Sequence, residues 1–298
     1  MNLFDRLVSE ALQGVAELAP LRAVVEKELL HHDVLREMSN AGLLAELTFI
    51  GGTCLRACYG SSRLSEDLDF TGGLSFTQGQ LADLGKLLTD RLHAKYGLPV
   101  VVSDPVREGA AVATWKMRVT TRPSRRGLPV QRITIDICAI PSYDPRPMML
   151  RNPYGVAMGT SGLILQAESR EEILADKLVA LALRPNRIKN RDVWDIVWLK
   201  QQGILLPLPL MPPKLQDHCC GQQEFMERLE SRLRLLAEDP SVQLDFKKEM
   251  ARFLPAGLVA ATVEHRDFWS YLVATIGDEC RLITGFLTGK EQAPSFRM

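Results

Sequence analysis

The 298-residue chain has no surplus of either charge. Lys and Arg together number 36, as do Asp and Glu, so any attraction to nucleic acid must come from local patches and not from bulk charge. It has no run of 18 apolar residues, which excludes a membrane-spanning helix on hydropathy. Its first residues, MNLFDRLVSEALQ, mix acids into an amphipathic helical pattern and do not read as a secretion signal. The expectation is a cytoplasmic protein with no membrane partner. The six cysteines, Cys54, Cys58, Cys138, Cys219, Cys220 and Cys280, include no C-x-x-C pair and are expected as reduced thiols without disulfides. The tetrad Asp217-His218-Cys219-Cys220 does not rise to a zinc site, because adjacent cysteines rarely chelate one tetrahedral ion and no partner pair is present. No internal repeat or long low-complexity stretch occurs. What is present is ordinary for a soluble globular protein, 46% hydrophobic and 24% charged, in a chain long enough for a sizeable core divided between two lobes.

The most informative stretch is Phe49 to Thr71, FIGGTCLRACYGSSRLSEDLDFT. Leu47 to Ile50 is apolar and β-prone, and Gly51-Gly52 directly after it lets the backbone turn tightly and approach a ligand such as a phosphate. Thr53 is placed to cap a short helix running to about Tyr59, whose free N–H groups would favour an anion beside the glycines. Asp67 and Asp69 follow, two residues apart. On a strand over Glu66 to Phe70 both would project from one face while Leu68 and Phe70 enter the core. Two carboxylates side by side repel unless a cation lies between them, and hard oxygen ligands suit Mg²⁺ completed by substrate phosphates. A bare D-x-D is more often a solvated strand face or a turn; the preceding Gly-Gly-Thr favours the site.

Gly51-Gly52-Thr53, Tyr59-Gly60, Arg63 and Ser65-Glu66-Asp67-Leu68-Asp69-Phe70 resemble the first motif of the AbiEii/AbiGii nucleotidyltransferase toxins, members of the polymerase-β-like nucleotidyltransferase superfamily. Later motifs extend the resemblance over most of residues 1–205. It implies that Gly51, Gly52, Thr53, Arg63 and Ser65 help to bind the nucleotide, and that Asp67 and Asp69 are catalytic and hold the metal.

Elsewhere the chain reads in order. Residues 3–18 and about 20–40 have helical periodicity. His31-His32 in the second is expected on an exposed polar face, since consecutive histidines point in different directions on a helix. Thr77 to Tyr96 reads as a helix with Leu81, Leu84, Leu88 and Leu92 on one side, closed by Gly97. Strands are expected over Pro99 to Val102, Ala111 to Thr121 and Val130 to Ile140, the last two as a hairpin. In the third, Asp136 shares a face with Thr134 and Cys138, opposite Ile133, Ile135 and Ile137. The resemblance makes it the third metal carboxylate beside Asp67 and Asp69. Residues 109–135 contain Lys116, Arg118, Arg122, Arg125, Arg126 and Arg132 and no acid. Two readings of this ribbon stand, a solubilising surface or an RNA-backbone contact through Arg122, Arg125 and Arg126.

Tyr143 to Gly162, with Pro145, Pro147 and Pro153, reads as the loop between lobes, giving a nucleotidyltransferase lobe over 1–150 and a helical lobe over 151–298. Ser169-Arg170-Glu171-Glu172 opens a helix to about Leu183 with a capping-box pattern. Lys177 falls inside its apolar stripe of Ile173, Leu174, Leu178 and Leu181. Either its stem snorkels or its ammonium faces a lined site, and replacing it by Met is expected to keep or raise stability. Glu172-Ile173-Leu174-Ala175-Asp176-Lys177-Leu178 and Arg191-Asp192-Val193-Trp194-Asp195-Ile196 resemble the later motifs of the same toxins, which implies active-site roles for Lys177, also toward the nucleotide, and for Asp192. Asp195 reads equally as an ion-pair partner of Arg191 or as a direct participant. Arg184, Arg187, Lys189 and Arg191 crowd a turn, and Arg187, Lys189 and Arg191 are candidates for RNA phosphates. Beyond Gly203, PLPLMPP reads as a linker before helices near 222–238, 242–253 and 260–287.

The resulting expectation is an α+β protein, a polymerase-β-like lobe with a small mixed sheet followed by a helical lobe that contributes active-site residues. The resemblance implies a toxin of a toxin–antitoxin system that uses Mg²⁺ and an NTP to transfer a nucleotide, with the tRNA 3′ end as acceptor and a cognate antitoxin as partner. Protein nucleotidylation and a non-catalytic nucleotide-binding role are the alternatives.

Overall fold

The computed structural model describes residues 2–106, 112–123 and 130–290. The chain divides into two units, Met1–Glu168 and Ser169–Met298.

The first unit is built on a seven-stranded mixed sheet of β1 (Thr48–Ile50), β2 (Leu68–Thr71), β3 (Val100–Ser103), β4 (Val112–Val119), β5 (Gln131–Cys138), β6 (Pro145–Met149) and β7 (Ile164–Glu168). Their order across the sheet is β3-β4-β5-β2-β1-β7-β6. The pairs β1/β7 and β2/β5 are parallel and the other four antiparallel. The hairpin expected from the alternating pattern is β4 and β5: Trp115, Met117, Val119, Ile133, Ile135 and Ile137 are buried on one face, while Lys116, Arg118 and Arg132 are exposed on the other. Phe49 and Phe70, opposed in register on β1 and β2, bring their rings to 5.0 Å in the core.

Among the described residues this unit carries the α-helices α1 (Leu3–Gly14), α2 (Arg22–Asn40), α3 (Gly51–Ala57) and α4 (Leu84–Tyr96). The helix expected from Thr77 is broken: a 3₁₀ turn, Gln78–Leu81, precedes α4. Leu81, Leu84, Leu88 and Leu92 are all buried as their spacing predicts, and Gly97 closes α4 at φ 64°. The stretch read as an inter-lobe loop instead contains β6, with Pro145 and Pro147 in an edge strand where the missing N–H groups cost no central ladder bonds. The sheet therefore runs on past residue 150 to Glu168.

The second unit is helical: α5 (Arg170–Leu183), α6 (Asn190–Gln201), α7 (Met211–Asp217), α8 (Gln222–Glu238), α9 (Pro240–Met250), α10 (Ala256–Ala261) and α11 (Phe268–Leu287). Ser169 caps α5, its hydroxyl accepting from the Glu172 N–H at 3.1 Å. α5 packs on α6, α7 and α8, and α6 on α9 and α11. The proline-rich run read as a linker is a 3₁₀ turn, Leu208–Leu210, leading into α7, whose first turn tolerates proline because its N–H groups lack helical partners anyway. Among the described residues no helix is long and apolar enough to cross a membrane.

Candidate active site

β1 ends at Ile50 and the chain turns directly into α3, a step Gly51 takes at φ 75°. A Cβ here would stand 3.1 Å from the Asp69 carboxylate, so the glycine is favoured by its left-handed backbone and avoids crowding the acid. Asp69 lies opposite Ile50 on one neighbouring strand and opposite Asp136 on the other. Register partners on adjacent strands point the same way, so the two carboxyls share the sheet face opposite buried Leu68, Phe70, Ile135 and Ile137. Like charges set across a strand pair repel, a cost that a bound cation would remove. Asp67, one residue before β2, follows the same alternation; its Oδ1 accepts from the Thr134 N–H at 3.0 Å and the Thr134 hydroxyl at 2.5 Å. Asp136 Oδ1 accepts from the Thr114 hydroxyl at 2.6 Å.

Two helices grip the loop that delivers Asp67. From α3, the Thr53 hydroxyl lies 2.7 Å from Ser65 Oγ and donates to the Asp67 carbonyl. From α2, Glu28 Oε1 accepts from the Ser65 N–H at 2.9 Å, Lys27 pairs with Glu66 at 2.7 Å, and His31 Nε2 is 3.0 Å from the Glu66 carbonyl. Glu28 is itself held through Oε2 by Arg56 at 3.1 Å and by the Tyr154 hydroxyl. Burial holds the His31 imidazole below its usual range despite the Glu66 carbonyl and the nearby carboxylates of Glu28 and Asp67.

In the second unit, Lys177 on α5 reaches two buried carboxylates of α6, Asp192 at 2.5 Å and Asp195 at 3.0 Å. Arg184 is 3.4 Å from Asp192. Burial alone would raise the Asp192 carboxyl, but Lys177, then Lys189, outweigh it and hold it at about 2. Lys189 is pushed down by its own burial against the pull of Asp192. The lysine in the apolar stripe is thus a paired internal charge and does not snorkel.

A family model described as nucleotidyl transferase AbiEii toxin, of type IV toxin–antitoxin systems, matches residues 33–272. The chain belongs to this family. It is a nucleotidyltransferase of the toxin–antitoxin class, whose family implies an NTP substrate and an antitoxin partner. Among solved structures it is similar to MenT4, the nucleotidyltransferase toxin Rv2826c of Mycobacterium tuberculosis H37Rv, with TM-score 0.52 and 14% identity over 96% of this chain and 99% of that one. JHP933 of Helicobacter pylori gives TM-score 0.48 and 16% identity over 90% and 94%. No curated protein sequence matches the chain.

In this AbiEii chain the sequence-predicted residues fall into distinct groups. Asp69 and Asp136 are brought together, with Asp67 one step along the same face. Among the described residues no three carboxylate, imidazole or thiol groups gather as a ready-made metal set, and Asp67 and Asp136 each accept a hydrogen bond from a threonine. The donor chemistry fits Mg²⁺ all the same: three hard carboxylates, two of them in an unfavourable like-charge register.

Thr53 is not the cap expected; α3 begins at Gly51, and Thr53 is buried and spends its hydroxyl on the Asp67 loop. Arg63 and Ser65 are likewise buried, Arg63 donating to the Leu64 carbonyl at 2.9 Å. Arg122 pairs with Asp5 at 3.2 Å and with Glu26, while Arg125 and Arg126 lie outside the described residues. Arg191 pairs with Glu249 at 3.3 Å and lies over the Phe253 ring, whereas Arg187 is exposed and Lys189 half-buried. His31 and His32, expected on an exposed face, are buried, because α2 is covered on more than its apolar stripe; His32 Nδ1 is 2.9 Å from the Thr160 hydroxyl. Glu28 was missed. Its signal was present, since it interrupts the apolar run Leu21, Val24, Val25, Leu29.

Proposed function

We propose that this toxin transfers a nucleoside monophosphate from an NTP to the 3′ end of tRNA, using Mg²⁺, and so blocks aminoacylation. The observation that carries the reading is the register pairing of Asp69 with Asp136 beside Gly51, which concentrates negative charge where the backbone leaves room for phosphate. Mg²⁺ held by Asp67, Asp69 and Asp136 would offset charge on the phosphates. Gly51 and Gly52 offer backbone N–H groups to the nucleotide, while Thr53, Arg63 and Ser65 shape the loop from beneath. We assign Lys177 to the NTP phosphates and Asp192 to orienting its ammonium.

In the reaction the acceptor oxygen bonds to the α-phosphorus, the bond from the α-phosphorus to the oxygen it shares with the β-phosphate breaks, pyrophosphate leaves with that electron pair, and the hydroxyl proton passes to solvent water. The tRNA acceptor is supported by the resemblance to toxins that extend tRNA 3′ ends and by the cations near α6, of which Arg187 is exposed, Lys189 half-buried and Arg191 tied to Glu249. Incubating the protein with each labelled NTP, Mg²⁺ and total RNA or total protein tests this. Label in tRNA, lost with Asp69→Asn, supports it; label only in protein moves the acceptor to protein, and no label with any NTP leaves a nucleotide-binding role.

A further inference from the structure

We propose that Lys116, Arg118 and Arg132, on the open face of β4 and β5, form a lane for the phosphodiester backbone of the RNA acceptor. This rests on the acceptor reading above and adds where the strand lies. Successive cross-strand rows on that face are Asp69, Asp136 and Thr114; then Thr134 and Lys116, with Asp67 bonded to Thr134; then Arg132 and Arg118. Each two-residue step along a strand is about 7 Å, so the cations begin beside the carboxylates and extend about 13 Å from the Asp136 row.

Three observations point to an external polyanion. All three side chains are exposed, and among the described residues none has an ion pair or side-chain hydrogen bond, whereas Arg22, Arg36, Arg56, Lys95 and Arg122 of the same unit are all paired. Arg118 and Arg132 are direct register partners, a like-charge pair that disfavours the hairpin, and among the described residues no acid pairs with either. The flanking positions on β3, Val101 and Ser103, are exposed and uncharged, which leaves the lane open sideways.

The sheet order separates the lane from the nucleotide side. The Gly51 turn follows β1, on one side of β2, and the cations lie on β5 and β4, on the other. A mononucleotide reacting at Asp69 and Asp136 has no phosphate to place two rows away, but a strand whose terminal hydroxyl reacts there has one at every nucleotide behind it. Arg122, tied to Asp5 and Glu26, is not part of the lane.

The test compares the full-length parent with K116Q/R118Q/R132Q and with R118K/R132K, measuring binding of deacylated tRNA from 50 to 200 mM salt and, separately, binding of NTP without RNA. With three cations withdrawn from the RNA phosphates, the slope of log K against log salt flattens by about 2 in the glutamine triple and is kept in the lysine pair, while NTP affinity stays at the parent value. The triple relieves repulsion and should unfold no earlier than the parent on heating, which controls for misfolding. An unchanged salt slope overturns the lane, as does a loss confined to NTP binding, which would place the cations on the nucleotide's own phosphates. A parent that neither binds nor labels RNA rejects the acceptor reading itself, and the lane with it; a parent that labels tRNA beside a triple with the parent's slope rejects the lane alone.

Discussion

Lys177 holds two carboxylates that have almost no water of their own: Asp192 is 3% exposed and Asp195 fully buried. Removing its ammonium in Lys177→Met strands them, and breaking a buried pair by deleting one partner costs about 3–5 kcal/mol. Sequence alone predicts the opposite sign, because an apolar stripe looks better filled by methionine; the carboxylates come from a helix seven residues further on and cannot be read from the stripe. Urea unfolding should show the loss, and Lys177→Met/Asp195→Asn should recover part of it. Parent-like stability of the single variant would mean that the pair does not form. His32 gives a second residue-scale expectation. Burial, then His31, Lys95 and Arg56, lower its imidazole to about 4 from 6.5. Between those values the unfolded chain binds a proton that the folded one refuses, so stability falls as pH drops from 6.5 through 4, by roughly 3 kcal/mol. Asp192 also has a lowered value, but its contribution, roughly 2 kcal/mol, is lost only below its unfolded value of 3.8 as pH falls through about 2. The two windows are separate, and in pH-dependent unfolding His32→Gln should reduce the slope in the first, to which buried His31 also contributes, while leaving the second.

At the scale of elements, α2 determines where Asp67 stands. Lys27, Glu28 and His31 lie along one side of the helix and each holds the segment 65–66, while Thr53 closes it from α3. Glu28→Gln keeps the shape but withdraws the charge from half-buried Arg56, so we expect a loss of about 2 kcal/mol in unfolding free energy and a weaker response to Mg²⁺ with NTP affinity nearly kept. Unaltered Mg²⁺ dependence in a destabilised variant would reduce Glu28 to packing. The alternating pattern of β4 and β5, the leucine stripe of α4 and the cap at Ser169 were legible because each is written within a few residues. β6 was hidden by its prolines, which read as loop until an edge position makes them harmless, and the register that sets Asp136 against Asp69 joins segments far apart in sequence, so periodicity could place each on a face but not beside the other.

For the whole molecule, AbiEii membership sets the expectation that the active protein made alone arrests a bacterial host and that its antitoxin relieves the arrest. With tRNA as the proposed acceptor, turnover would let few copies disable a large pool, because an added nucleotide esterifies the terminal hydroxyl that aminoacylation needs. On this reading the carboxylate face of β2 and β5 performs the transfer. This is tested most directly by incubating purified parent and Asp69→Asn proteins with tRNA, all four NTPs and Mg²⁺, then sequencing the tRNA 3′ ends. The parent should leave added nucleotides, and Asp69→Asn should lower their rate roughly a hundredfold or more, the loss of about 3 kcal/mol of charge stabilisation, with the variant still folded. Unextended 3′ ends with the parent, or equal extension by Asp69→Asn, would contradict the account.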